Sequence, residues 1–82
     1  MTNVEPIYAE LGRRIARERN RRCMSQAQLA YSLVPQVTRA AISNMEGGRQ
    51  RVMLHVALDI ANALRIPAMR LFAGLQYRPS QE

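Results

Sequence analysis

The chain has 82 residues, which is enough for one domain with a modest core, and its hydrophobic share of 48% excludes a disordered chain. No apolar run approaches the ~18 residues of a membrane span, and the first residues lack the apolar stretch of a signal peptide, so we expect a soluble cytoplasmic protein. The net charge is +6 and all 12 basic residues are arginines, which favours a polyanionic partner such as nucleic acid.

Groups suited to catalysis or metal binding are scarce. Cys23 is the single cysteine, so an internal disulfide and a multi-cysteine metal site are excluded. We interpret Cys23 as a small apolar residue near a helix end and His55, the single histidine, as a half-exposed helix residue. The carboxylates are few and scattered. We therefore expect a protein without enzymatic activity, cofactor, metal or small-molecule effector.

Four helices and a short fifth are predicted in chain order, and no segment alternates as a strand would. The first helix spans about residues 6–22 and carries one apolar stripe, formed by Ile7, Leu11 and Ile15. The second begins after Ser25, whose hydroxyl can cap the backbone N–H groups of the first turn. It ends before Pro35, because proline pushes the preceding residue out of helical geometry.

The third helix is predicted to be short and two-faced. It starts after Thr38 as the cap, spans 39–46 and ends at the paired glycines that follow. One face can pack on helices two and four and consists of Thr38, Ala41, Ile42 and Met45. The other face is small, polar or basic and consists of Arg39, Ala40, Ser43, Asn44 and Gly47. Such a surface suits close approach to the bases of a duplex major groove.

The fourth and fifth helices complete the predicted domain. The fourth spans about 53–65 and carries an apolar stripe made of Leu54, Ala57, Leu58, Ala61 and Leu64. The fifth opens at Pro67 and covers Met69, Leu71 and Phe72. We expect one domain over residues 1–82, with a core over about 6–75 and a short frayed tail over 77–82.

Side-chain chemistry assigns roles to the polar face of the third helix. Arg39 can donate to O6 and N7 of guanine, Asn44 can pair with N6 and N7 of adenine, and the Ala40 methyl can touch a thymine methyl. Ser43 shares this face, where its hydroxyl can also donate to a phosphate. These four residues are predicted to read bases.

A second set of residues is predicted to contact the DNA backbone, namely Ser25, Gln26, Thr38, Arg49, Gln50 and Arg51. Gln26 lies at the start of the second helix, where backbone N–H groups and the helix dipole favour an anion. Arg49 and Arg51 follow the paired glycines. We expect them to be two mobile cations that reach phosphates or the adjacent minor groove.

Three segments in order carry a family resemblance: MSQAQLA at 24–30, ISNMEGG at 42–48 and IANAL at 60–64. With them, residues 11–72 resemble the Cro/cI-type helix-turn-helix family, also called XRE-like. The resemblance implies an all-α, five-helix, lambda-repressor-like fold that binds double-stranded DNA. It draws the binding residues from the starts of helices two and three and from the loop after helix three. It also implies that Arg19 pairs with Glu46.

Two departures from the family pattern affect local geometry. The turn over 33–37 is about two residues longer than usual and lacks its glycine. This leaves open, by a residue or two, where helix three begins and which of Thr38, Arg39 and Ala40 lies deepest in the groove. Cys23 stands where glycine commonly ends helix one, so we expect strained or different geometry at that cap.

Dimerisation is predicted because a lone recognition helix reads only a few base pairs. The segment after Pro67 is more apolar than a terminal helix requires, and we assign to a two-fold interface Met69, Leu71, Phe72, Leu75 and Tyr77. Of these, Leu71 and Phe72 are also expected to cap the monomer core. The expected function is a homodimeric repressor of a palindromic operator, often at its own promoter. Family members of this size include phage repressors, restriction–modification controllers and antitoxins, and the sequence does not choose among them.

Two other functions are alternatives to a DNA-binding repressor. An antitoxin-like or adaptor module would bind chiefly a protein partner, and it would show a large apolar face and a recognition helix poor in groove-compatible residues. Arg39 and Asn44 argue against it, although a repressor that also binds a protein stays open. An RNA-binding protein would carry aromatic residues clustered on its basic face for base stacking, which this sequence does not show.

Overall fold

The computed structural model describes residues 4–78, and in this range the chain is all-α, as predicted. There are five helices, α1 Pro6–Arg21, α2 Gln26–Ser32, α3 Arg39–Glu46, α4 Leu54–Leu64 and α5 Met69–Phe72. Between residues 4 and 78 the chain forms no strand, and none of these helices is long and apolar enough to cross a membrane. The frayed tail predicted over 77–82 falls, from position 79 onward, outside the described residues.

Side-chain caps determine where α2 and α3 begin. Ser25 Oγ accepts a hydrogen bond from the Gln28 backbone N at 3.0 Å, and Gln28 Oε1 accepts one from the Ser25 backbone N at 2.7 Å. This reciprocal pair satisfies two N–H groups that a helix start leaves without partners. Thr38 Oγ1 caps α3 by accepting from the Ala41 backbone N at 3.0 Å. The structure thus starts α3 at Arg39, the point that the long turn had left open.

The connections on either side of α2 have unusual backbone geometry. Cys23 ends α1 in the left-handed region with φ 53, which a glycine would adopt at lower cost. In the long turn before α3, the Val34–Pro35 peptide bond is cis. The Val34 backbone N donates to Asp59 Oδ2 at 2.7 Å, so the turn is fastened to α4.

The core lies between the helices, and its largest fully buried apolar side chains are Ile15, Leu29, Ile42, Ile60, Leu64 and Leu71. The stripe predicted for α4 was partly wrong. Leu54 and Leu58, expected to be buried, are 68% and 41% exposed. Ile60 takes their place, because α4 turns toward the core the face that carries Ala57, Ile60, Ala61 and Leu64. Apolar residues on more than one side of α4 made both orientations compatible with its sequence.

A glycine allows α1 and α3 to touch backbone to backbone. Gly12 is buried, and a Cβ atom added there would overlap the carbonyl oxygens of Met45 and Glu46. The final turn of α3 therefore rests directly on α1. This close approach holds α3 in place while its opposite face stays accessible.

Candidate nucleic-acid interface

The structure divides α3 into a buried face and an outward face. Ile42 and Met45 are buried in the core, and Ala41 is partly buried beside them. The four residues predicted to read bases lie on the other side, with Arg39 and Ala40 exposed and Ser43 and Asn44 half-buried. Among residues 4–78, no hydrogen bond or ion pair engages the Arg39 side chain. Its guanidinium is therefore available to a ligand at the start of α3.

An ion pair between α1 and the C-terminal end of α3 holds the outward face of α3 in position. Arg19 Nε donates to Glu46 Oε2 at 2.6 Å, and Arg19 Nη2 donates to Glu46 Oε1 at 3.0 Å. Arg19 Nη1 also donates to the Met24 carbonyl oxygen at 2.8 Å. The hydrogen bond to Glu46 favours the charged guanidinium and raises the pKa of Arg19 above its ordinary value. This two-point pair is the one that the family resemblance implied.

Gln26 lies in this ion-pair network, which differs from its predicted place at a phosphate. Its Nε2 donates to Glu46 Oε1 at 2.9 Å, and the residue is half-buried. Because the amide nitrogen is directed at the carboxylate, the side chain links α2 to α3. Ser25 and Thr38 use their oxygens to cap helices, which leaves each hydroxyl hydrogen able to donate to an anion. Gln50, also predicted at the backbone, is half-buried.

The two cations after α3, which were expected to be mobile, both have hydrogen-bond partners within the protein. Arg51 Nε and Nη2 donate to the two carboxylate oxygens of Glu5 at 2.6 and 3.0 Å. The hydrogen bond from Arg51 holds the pKa of Glu5 below its ordinary value, so this carboxyl is ionised at neutral pH. Arg49 lies against α3, where its Nε donates to Asn44 Oδ1 at 3.3 Å and its Nη2 to the Ser43 carbonyl oxygen at 3.2 Å.

Sequence reasoning missed a buried carboxylate that holds several of the arginines. Glu18 is fully buried, and its oxygens lie 3.1 Å from Arg21 Nη1, 3.8 Å from Arg22 Nη1 and 3.4 Å from Arg70 Nη1. The spacing of Glu18 from Arg21 and Arg22 is typical of pairs along one helix and could have indicated them. Arg70 comes from α5, and only the fold brings it there. The contact with Arg70 fastens α5 to α1.

One residue assigned to the dimer interface belongs to the monomer core. Leu71 is fully buried inside the chain, so it has no surface left for a partner. Met69 and Tyr77 are exposed, whereas Phe72 and Leu75 are half-buried. Phe72 and Leu75 help to form a shallow apolar groove, lined by Ile7, Tyr8, Leu11, Val52, Leu54, Ala57, Phe72 and Leu75.

Comparison with known families matches residues 10–71 to the model described as a helix-turn-helix domain. The chain belongs to the helix-turn-helix domain family. Its α2 and α3 form the helix-turn-helix, and α3 is the recognition helix of a DNA-binding domain. The predicted resemblance is confirmed. α1 packs on α3, α4 packs on α2, and α5 packs on α1.

A solved structure gives a second comparison. The chain is similar to the restriction-modification controller protein C.AhdI from Aeromonas hydrophila, with 29% identity and a TM-score of 0.74 over 79% of this chain and 91% of that one. This similarity confirms the predicted five-helix, lambda-repressor-like class of the helix-turn-helix fold. A search of curated proteins found no match.

Proposed function

We propose that this protein is a homodimeric transcriptional repressor that reads a palindromic operator through the DNA major groove. The outward face of α3 carries the proposal. Ile42 and Met45 lock the helix to the core, while Arg39 and Ala40 stay exposed at its first turn. A buried apolar side and an accessible polar side are what a helix needs to enter the groove without losing its place in the domain.

The proposed readout starts at the first residue of α3. Arg39 donates to O6 and N7 of a guanine, the Ala40 methyl contacts a thymine methyl, and Ser43 and Asn44 contact the following base pairs. The hydroxyls of Ser25 and Thr38 donate to phosphates at the starts of α2 and α3. With these contacts, α3 would meet the bases mainly through its N-terminal half, which is the usual arrangement of a recognition helix.

The proposed dimer rests on apolar surface that the monomer leaves uncovered. Beside the groove that contains Phe72 and Leu75, Leu54 and Tyr77 are largely exposed, and Met69 is also exposed. Two copies joined on this side would present two recognition helices to half-sites about 34 Å apart. Bound at a promoter, such a dimer regulates by occupancy and requires no cofactor or small-molecule effector.

The similarity to C.AhdI, a restriction-modification controller, favours that biological setting over a phage or toxin–antitoxin one. In this setting the protein would act in the cytoplasm on promoters of its own gene cluster. A protein partner in addition to DNA is an extension of the proposal and is not required by it.

Selection of bound duplexes from a random pool tests the proposal. The wild-type protein should enrich a palindrome, and the matched variant with Arg39→Ala and Asn44→Ala should not enrich it. Transcription in vitro from a promoter that contains the selected sequence should then fall as the protein is added. No enrichment at low ionic strength would overturn the DNA-reading role, and a rise in transcription would overturn repression.

A further inference from the structure

Arg49 lies flat across the C-terminal end of the recognition helix. Its backbone N donates to the Asn44 carbonyl oxygen at 2.9 Å, and its side chain donates to Asn44 Oδ1 at 3.3 Å and to the Ser43 carbonyl oxygen at 3.2 Å. A Cβ atom added to Gly47 would overlap the Arg49 guanidinium. A cation at this end also complements the helix dipole and the unpaired carbonyl groups of the last turn.

The contact with Oδ1 determines what the Asn44 amide can offer to DNA. An asparagine side chain has one accepting oxygen and an NH₂ group with two donors, whereas a guanidinium can only donate. The guanidinium of Arg49 therefore faces the amide oxygen. Among residues 4–78, Asn44 Nδ2 has no hydrogen-bond partner, so both N–H donors are available to a ligand, whereas one lone pair of Oδ1 is used and the other lies beside a positive charge.

Adenine and guanine place different demands on such an amide. Adenine presents an N7 acceptor and an N6 donor in the major groove, so pairing with it requires an amide donor and the amide oxygen side by side. Guanine presents two acceptors, N7 and O6. Asn44 Oδ1 already accepts from a cation, and a second donor such as adenine N6 would approach this oxygen against the charge of Arg49. The amide therefore fits guanine better than adenine.

We propose that Arg49 is a specificity-determining residue that acts through Asn44: by placing a cation against Oδ1, it biases Asn44 toward donating and so toward guanine over adenine. This inference rests on the proposed DNA-reading function, and it replaces the adenine contact that the sequence suggested for Asn44. Arg49 is then a positioning residue rather than a simple phosphate contact. A phosphate contact would change affinity for every sequence alike, whereas a positioning residue changes the preference at one base pair.

Binding competition among operator duplexes, each with one base pair changed, separates these roles. Asn44→Ala first identifies the base pair that Asn44 reads, because preference at that position should disappear. At this position the wild type should favour guanine over adenine by about two- to tenfold, the range of one hydrogen bond. Arg49→Met should shift the preference toward adenine there and leave the position read by Arg39 unchanged.

Arg51→Met is the matched control, since it removes the same charge from the same loop without touching Asn44. It should leave the base preference at every position as in the wild type. A wild-type preference for adenine, an Asn44→Ala profile identical to the wild type, or an Arg49→Met loss equal on all duplexes would each overturn the inference. Failure of the proposed function is a different result, because the wild type would then show no preference at any position.

Discussion

Arginines near the recognition helix differ in what their side chains already do in the protein alone. Arg39 is exposed, and none of the described residues engages its guanidinium, whereas Arg49 is held on α3 and Arg51 on Glu5. A net charge of +6 attracts DNA from a distance but does not tell these roles apart. Arg39 is therefore the arginine that can form base contacts without first breaking one inside the protein.

Arg39→Ala should weaken binding to the operator by about 1–3 kcal/mol and relax the preference at one base position. The side chain is exposed, so the fold should be unaffected. Titrations with the operator and with a random duplex of equal length measure the difference. If affinity falls equally on both duplexes, Arg39 contacts a phosphate and the base-reading assignment is wrong.

Glu5→Gln should strengthen binding to any duplex, because Arg51 loses its carboxylate partner and can turn to a phosphate. The slope of log affinity against log salt should steepen by about one unit for the added phosphate contact. Low pH should have the same effect on DNA binding as Glu5→Gln. The pKa of Glu5 is lowered, and the pair holds above that pKa and is lost as the pH falls through it. Glu10→Gln is the control, because it removes the carboxylate partner of Arg13 and one of the partners of Arg14. An unchanged slope in Glu5→Gln would place Arg51 out of reach of DNA.

At the scale of the helices, local signals predicted more than long-range ones. Ser25 and Thr38 marked the starts of α2 and α3 because a cap acts within one turn. The orientation of α4 was predicted only in part, since its apolar residues lie on several sides and its packing partners decide which side is buried. The outward face of α3 followed from periodicity. The pair of Arg51 with Glu5 could not be predicted in this way, because it joins residues that are 46 positions apart.

Gly12→Ala should lower the free energy of unfolding by about 1–3 kcal/mol, the usual cost of overpacking. Helix propensity alone predicts the opposite sign, because alanine stabilises a helix interior relative to glycine. The difference arises from the overlap with the Met45 and Glu46 carbonyl oxygens. Urea denaturation measures it.

Gly47→Ala is the matched control for Gly12→Ala. The new methyl there meets only the end of the Arg49 side chain, which can move away. Its effect on unfolding should therefore be small. Equal losses of unfolding free energy in the two variants would show that the packing of α1 on α3 does not depend on their close approach.

Glu46→Gln should cost about 2–3 kcal/mol of stability, because Arg19 would lose its charged partner in a largely buried place. The new amide keeps one oxygen, which can still accept from Gln26 and Arg19 Nη2, but it turns an NH₂ group toward Arg19 Nε, so α3 loosens from α1. A double-mutant cycle with Arg19→Met, followed by thermal unfolding, isolates the pair. Additive losses in that cycle would show that the two side chains do not stabilise each other.

For the whole molecule, the proposed function depends on a second copy, since one recognition helix spans only a few base pairs. The groove beside α5 is lined partly by core residues and partly by exposed ones, so only its exposed part can be altered without unfolding the monomer. Phe72 is poorly suited to this purpose because it is packed against the core. Leu54 is better suited, being 68% exposed and adjacent to that groove.

Leu54→Asp should yield a folded monomer. Leu54 is the first residue of α4, where a carboxylate complements the helix dipole, so the substitution should not unfold the helix. A charge placed in an apolar interface is costly, so the dimer should dissociate in sedimentation experiments. Affinity for the palindrome should fall about 100-fold, because the two half-sites are no longer bound by linked helices. Tyr31→Asp, at an exposed site on α2, should leave the dimer intact. A Leu54→Asp protein that still sediments as a dimer would move the interface to another face of the molecule.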